Sequence, residues 1–391
     1  MSTEALKSAE WLLRPETQAI LAALDGAQGR TRAVGGVVRD TLLARQRANP
    51  DIDLATELLP EDVMARAKAA GIAVYPTGID HGTVTLKLGE TLAEVTTLRR
   101  DVETNGRHAV VAFGTDWRED ASRRDFTLNA LYCGPDGTLF DPLEGLEDAL
   151  AGRVRFIGDA AQRINEDGLR VYRFFRFSAS HGGEQFDPDG LAACAAAVSR
   201  LGHLSRERVG QEITRMLALP KVAMSLLMMA ELGLLQFDDA AARALVAYET
   251  LGGQSAATRL ALLAGDALEA AQESWRLSNE MVGKARDIAR AAALLAEDRV
   301  GEAAYRHGES AVEGLALVAA REQWGQARLA ETARALGGLV VPDFPVSGRD
   351  LAGLGMKPGP QLGKELARLE RAWIDSGFAL GKPALLTLVQ L

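Results

Sequence analysis

Asp51 and Asp53, in the run DIDLAT (51–56), stand two residues apart in a stretch that reads as a strand. Strand side chains at i and i+2 share a face, so two carboxylates would lie side by side. Like charges that close repel each other unless something neutralises them. A hard divalent cation such as Mg²⁺ does so, with carboxylate oxygens as its preferred ligands. An isolated Asp-x-Asp is more often a polar strand edge. This one follows a glycine turn within a sheet-forming segment, which favours the metal reading. A third acid from a neighbouring strand is expected in such a site. Glu94, in the β-branched run AEVTTLR, is the candidate; a solvent-facing strand charge is the alternative.

The glycine turn is AVGGVVRD (33–40), with Gly35 and Gly36 at a strand end and a helix start. Glycines admit close backbone approach, and free N–H groups at a helix start suit a phosphate. Arg39, about one turn in, adds a charge-assisted donor. The spacing fits neither the P-loop nor the dinucleotide fingerprint, and alone it is a tight turn. In RRDFTLNALY (123–132), Arg124, Asp125 and Asn129 are donors and acceptors of the kind that hold a ribose hydroxyl and a phosphate. Phe126, Leu128, Leu131 and Tyr132 read as core. NEDGLRVYRFFRF (165–177) reads as one helix, with Glu166 and Asp167 ahead of Arg170, Arg173 and Arg176. Surface ion pairs at helical spacing would explain those charges without any function.

These residues need a scaffold, and 391 residues suffice for two or three domains. Hydrophobic content of 47% and charged content of 25% fit a soluble globular chain. The net charge of −9 argues against a non-specific nucleic-acid coat but permits a local arginine cluster. No apolar run is long enough for a membrane span, and the N-terminus lacks the pattern of a secretory signal. Two cysteines, Cys133 and Cys194, make no disulfide framework, so reduced cytoplasm is expected. A leading helix is expected over 4–25. Strands are expected at 31–34, 51–56, 72–76, 83–88 and 91–98, with helices at 37–47 and 60–70. Residues 99–120 read as a mobile loop with one short strand, a candidate lid. The sheet unit ends near Asp141-Pro142, and from about 145 the pattern is helical. The five histidines have no metal-ligand spacing.

Taken in order, GGVVRD, DID, PTGIDHGTVTL, EVTTLR, RRDFTLNALY, DPLEGLEDALAGRVRFIGD, NEDGLRVYRFFRF and LSRERVGQEITRML form a series that resembles the class II tRNA nucleotidyltransferases. These are the CCA-adding enzymes, which share a superfamily with bacterial poly(A) polymerases. The resemblance is dense over residues 30–220; beyond it, VSGRDLAGLGMKPGPQLGKEL (346–366) is similar to a C-terminal segment of many members. It implies an α+β fold: a polymerase-β-like nucleotidyltransferase head with a small sheet (1–145), a helical neck (146–220) and a helical body and tail (221–391) that binds tRNA. It further implies that Gly36 and Arg39 bind the triphosphate and that Asp51 and Asp53 hold Mg²⁺. Arg124 would contact the nucleotide alongside Asp125 and Asn129. Asp167 and Arg170 would read the base, with Arg173 and Arg176 supporting it or the phosphates.

The substrates so implied are CTP and ATP, and the base chemistry fits an aspartate–arginine pair. Cytosine and adenine each present an amino donor beside a ring-nitrogen acceptor, whereas uracil and guanine present a carbonyl beside an N–H. A carboxylate accepting and a guanidinium donating would admit the first two alone. Glu166 is placed to steady Arg170. Poly(A) polymerases tend to carry an arginine-rich stretch where this chain reads YPTGIDHGTVTL, so they are the runner-up, beside enzymes adding only CC or only A. Lys357, Lys364 and the glycines around them are candidates for the RNA backbone.

Overall fold

The computed structural model describes residues 3–45, 48–100 and 112–390, and the chain divides into two compact units, Met1–Leu204 and Ser205–Leu391. Half of the expected lid, residues 101–111, lies outside the described residues.

The first unit is built on a seven-stranded mixed sheet. Its strands are β1 (Thr31–Val34), β2 (Ile52–Thr56), β3 (Ala73–Gly78), β4 (Thr83–Leu88) and β5 (Thr91–Thr97), joined by β8 (Tyr132–Cys133) and β9 (Leu139–Phe140). A separate two-stranded pair, β6 (Arg99–Arg100) and β7 (Ala112–Phe113), flanks the segment that is not described. The order across the sheet is β3-β4-β5-β2-β1-β8-β9. β2 and β5 run parallel, and the remaining neighbours are antiparallel. Alternation along the strands sorts the two faces: Ile52, Leu54, Ala93, Val95, Val84 and Leu86 are buried, while Asp53 and Glu94 are exposed. Helices Pro15–Ala23 and Pro60–Ala69 pack against the strands of this sheet.

Three expectations need correction. The leading helix is three short ones, Glu4–Lys7, Glu10–Leu13 and Pro15–Ala23. Pro15 causes the second of the two breaks, because it forces Arg14 before it out of helical geometry, to ψ 131°. Strands β8 and β9 were not expected. They pair across Gly134-Pro135-Asp136-Gly137, where Gly137 has φ +79° and the Asp136 carboxylate accepts from the Thr138 N–H at 2.9 Å. A Pro-Asp-Gly turn between apolar pairs is a hairpin signal in the sequence itself. The run 165–177 is not one helix: Ala160–Glu166 ends, Asp167 is extended (φ −148°, ψ 103°), and a new helix runs Leu169–Ser180. The Asp167 side chain accepts the Leu169 N–H at 3.1 Å, competing with the helical ladder.

After Phe140 the described elements are all helical. On Leu169–Ser180, Phe174, Phe175 and Phe177 are buried, and Phe174 stacks on Phe156 at 5.5 Å. Arg170, Arg173 and Arg176, three apart, share the opposite, partly open side. In the second unit the buried Arg259 collects the carbonyls of Leu217 (2.7 Å) and Pro220 (2.9 Å) and pairs with Glu249 at 2.8 Å. Near its end Trp373 anchors an aromatic cluster with Tyr305, Phe344 and Phe378.

Candidate active site

Asp53 and Glu94 are register partners in the parallel β2–β5 pair, so their carboxylates project from the same face of the sheet. Asp51 stands just ahead of β2. Burial first, then the charges of Glu94 and Asp51, push the Asp53 carboxyl up to about 6, with Arg124 pulling the other way. Asp53 is open to solvent by area, yet it sits in a concavity lined by Gly36, Arg39, Asp40, Pro50 and Asp51, with a volume of about 210 Å³. Local crowding, more than depth, makes its charge costly. Among the described residues no three His, Cys, Asp or Glu side chains converge as a ready-made metal cage. The hard-oxygen donors available are therefore the Asp51–Asp53 pair, with Glu94 beside it.

The turn before the helix Gly36–Leu42 explains its glycines. Gly35 has φ +73°, the left-handed region where a side chain is strained, and its N–H donates to the Leu131 carbonyl at 3.0 Å. A Cβ placed there would come within 4.0 Å of Arg124 Nη1, so that guanidinium lies beside the glycine turn. Arg39 is 6% exposed. Its Nε donates to Asp40 Oδ1 at 2.7 Å, its Nη1 donates to Asn129 Oδ1, and its guanidinium lies 5.2 Å from the Phe177 ring. Asn129 Nδ2 donates to Asp125 Oδ1 at 3.0 Å, and Arg173 Nε donates to Asp125 Oδ2 at 2.8 Å. Asp125 Oδ1 also accepts the Phe126 N–H at 2.8 Å, and Oδ2 accepts a second bond from Arg173 Nη2.

The expected roles of Asp125, Asn129 and Arg173 at ribose or phosphate meet a different arrangement. Both carboxylate oxygens of Asp125 already carry two donors each, which fills its lone pairs. Asp125 and Asn129 brace Arg39 against Arg173. Burial would raise the Asp125 carboxyl, but Arg173 and Asn129 more than offset it and hold it below the usual carboxylate range. Arg176 lies over the Phe177 ring at 4.3 Å.

Arg170 is held by its neighbours. Its Nη1 donates to Glu166 Oε2 and to the Arg163 carbonyl, both at 2.7 Å, and its Nη2 donates to the Arg123 carbonyl at 3.2 Å. Glu166 reaches Arg170 across the helix break. Asp167 is partly buried at that break, on the turn that leads into Arg170.

Asp120, Arg123, Asp40 and His181 had no role from the sequence, and Tyr132 was read only as core. Asp120, buried, pairs with Arg123 and Arg124, and Tyr132 donates its hydroxyl to Asp120 at 3.0 Å. His181 Nε2 lies 3.2 Å from Asp40 Oδ1, the same oxygen that accepts from Arg39. The Asp120 spacing, i+3 and i+4 to two arginines, was a signal available in the sequence. The His181 contact spans 141 residues and had none.

Comparison with known proteins concerns the chain as a whole. Residues 31–155 match the family described as Poly A polymerase head domain, and residues 185–237 match the probable RNA and SrmB-binding site of polymerase A. The CCA tRNA nucleotidyltransferase 1, mitochondrial, of Danio rerio is 35% identical over 384 residues, covering 92% of this chain and 87% of that protein. The CCA-adding enzyme of Levilactobacillus brevis is 30% identical, covering 95% and 96%. The crystal structure of the Bacillus stearothermophilus CCA-adding enzyme in complex with CTP superposes with a TM-score of 0.73 at 29% identity, covering 93% of this chain and 94% of that one. By sequence over nearly its whole length, this chain belongs to the CCA-adding tRNA nucleotidyltransferases.

Proposed function

We propose that the protein adds C, C and A to the 3′ end of tRNA without a nucleic-acid template, drawing on CTP and ATP and releasing pyrophosphate. The observation that carries this reading is one concavity in which Asp51 and Asp53 face Gly36 and Arg39, with Glu94 and Arg124 beside Asp53.

The chemistry joins the 3′-hydroxyl oxygen of the RNA to the α-phosphorus of the incoming nucleotide and breaks the bond to the bridging oxygen of pyrophosphate. Asp51 and Asp53 are the residues that would hold Mg²⁺, which when bound supplies charge neutralisation and activation of the hydroxyl. The amide at Gly36, the guanidinium of Arg39 and that of Arg124 receive the triphosphate, on a turn that the Gly35–Leu131 bond holds in place. Arg39 enters this role already oriented by Asp40 and Asn129, so little ordering is left for the moment of reaction. Asp167 and Arg170 select the base, and the Glu166 bond restricts Arg170 to one approach. Arg173, tied to Asp125, and Arg176, over Phe177, hold the helix that carries Arg170. In the second unit the exposed Lys357 and Lys364, around the start of helix Pro360–Asp375, are candidates for the RNA backbone.

The reading asks for a compartment that holds tRNA, which in the reduced-cysteine view is the cytoplasm. Among the described residues no helix is long and apolar enough to cross a membrane.

The test is incorporation into tRNA transcripts ending before CC, ending after CC, and into an unrelated RNA, with each nucleotide alone and all together in Mg²⁺. Three additions to the fully truncated tRNA support the reading. A long A-tail on every RNA would replace it with poly(A) synthesis. A stop after CC, or no start without CC, would reduce it to a partial enzyme.

A further inference from the structure

Asp120 lies in the helix Trp117–Ser122 with 1% of its surface exposed. A carboxylate at that depth is costly without partners, and this one has five donors. Oδ1 accepts from Arg123 Nε at 2.9 Å, from Arg123 Nη2 at 2.7 Å and from the Arg99 backbone N–H at 3.3 Å. Oδ2 accepts from the Tyr132 hydroxyl at 3.0 Å and from Arg124 Nη2 at 3.3 Å.

Two of these partnerships lead into the site. Arg124 Nε donates to the Tyr132 hydroxyl at 3.2 Å, so acid and phenol together grip one edge of the Arg124 fork. The remaining nitrogen, Nη1, is the one turned toward Gly35. Arg123 offers its backbone carbonyl to Arg170 Nη2 at 3.2 Å. One buried carboxylate thus fixes both the guanidinium beside the glycine turn and the peptide on which Arg170 rests. Surface ion pairs at i+3 and i+4 contribute only a few tenths of a kcal/mol and orient nothing. Here the acid is buried, and both of its arginines lead to residues at the site.

We propose that Asp120 is a positioning residue that joins triphosphate binding to base reading by holding Arg124 and the Arg123 backbone in a single frame. This rests on the assignment of Arg124 and Arg170 to the nucleotide made above. It adds that the two halves of nucleotide recognition are set by one group that does not touch the nucleotide.

The experiment measures KM and kcat for CTP and ATP, and the ratio of UTP to CTP incorporation, in Asp120→Asn, Arg124→Ala and the double variant. Loss of one charge-assisted bond predicts a rise of roughly tenfold in KM for both nucleotides in Asp120→Asn. The UTP-to-CTP ratio should rise with it. The double variant should raise KM by less than the product of the two single effects, because part of the Asp120 effect runs through the Arg124 guanidinium. Tyr132→Phe removes the phenol and keeps the acid, and should raise KM a few-fold even where Asp120→Asn does not fold. An unchanged KM and base ratio in whichever of these two variants folds, beside a raised KM in Arg124→Ala, would overturn the proposal. An unchanged KM in Arg124→Ala would instead remove the nucleotide assignment beneath it.

Discussion

Asp53 and Glu94 face each other across β2 and β5, neighbouring strands that run parallel, with their carboxylates on the same side of the sheet. Two acids so placed are a cost to the fold and a resource for the chemistry. The folded Asp53 carboxyl, at about 6, lies above the unfolded value of roughly 3.9. The folded state therefore binds the extra proton between those values. Stability contributed at this position falls as pH rises from about 4 to 6, and the cost is fully present above that.

Asp53→Asn removes that cost along with the metal ligand. Metal-free protein carrying it should be more stable than the parent at pH 7.5, by about 1 kcal/mol once solvent screening of so open a group is allowed for. The gain should vanish near pH 4, and every nucleotide addition should be abolished. Thermal melts in EDTA at the two pH values, with CTP incorporation in Mg²⁺, check both halves.

Much of this could be read from the chain. Strands at 31–34 and 83–88 are legible because β-branched runs end in turn residues. The Asp51–Asp53 pair and the glycine turn are legible because their chemistry is local. What escaped depends on distance. The Asp40–His181 and Asp125–Arg173 contacts join segments 141 and 48 residues apart, and no local pattern marks them. Asp125 and Arg173 were each visible as polar candidates, but only the fold shows that they satisfy one another. The break at Asp167 was hidden for a different reason. Asp-Gly suits a turn and helical periodicity suits a helix, and the side-chain bond to the Leu169 N–H decided between them.

Arg173→Ala should expose the cost of a buried acid. The Asp125 side chain is 9% exposed and loses its cationic partner. At pH 7 the stranded charge predicts a loss of about 2–4 kcal/mol. Because the folded Asp125 pKa is held low in the parent, the pair stabilises above roughly pH 4 and that contribution fades as pH falls through the folded value. Urea unfolding should therefore show a large difference between variant and parent at pH 7 that shrinks as pH falls below about 4.

Gly145→Ala tests how tightly the turn carrying Asn129 is held. A Cβ on Gly145 would lie 2.1 Å from the Thr127 carbonyl oxygen, backbone that cannot yield cheaply. Thr127 begins the 3₁₀ turn Thr127–Asn129, and its hydroxyl donates to Asp148 at 2.6 Å. Overpacking there should cost about 1–3 kcal/mol. Asn129 would move away from Arg39, so KM for both CTP and ATP should rise in the variant, as steady-state kinetics would show.

The central claim is that protein side chains select the base. Single-turnover incorporation of CTP, ATP, UTP and GTP into tRNA lacking its CCA end, by the parent and by Asp167→Ala, tests it most directly. The account predicts that the parent accepts CTP over UTP and that the variant still transfers nucleotides but has lost most of that preference. An Asp167→Ala protein that keeps the parent's selection of C and A over U and G would contradict it.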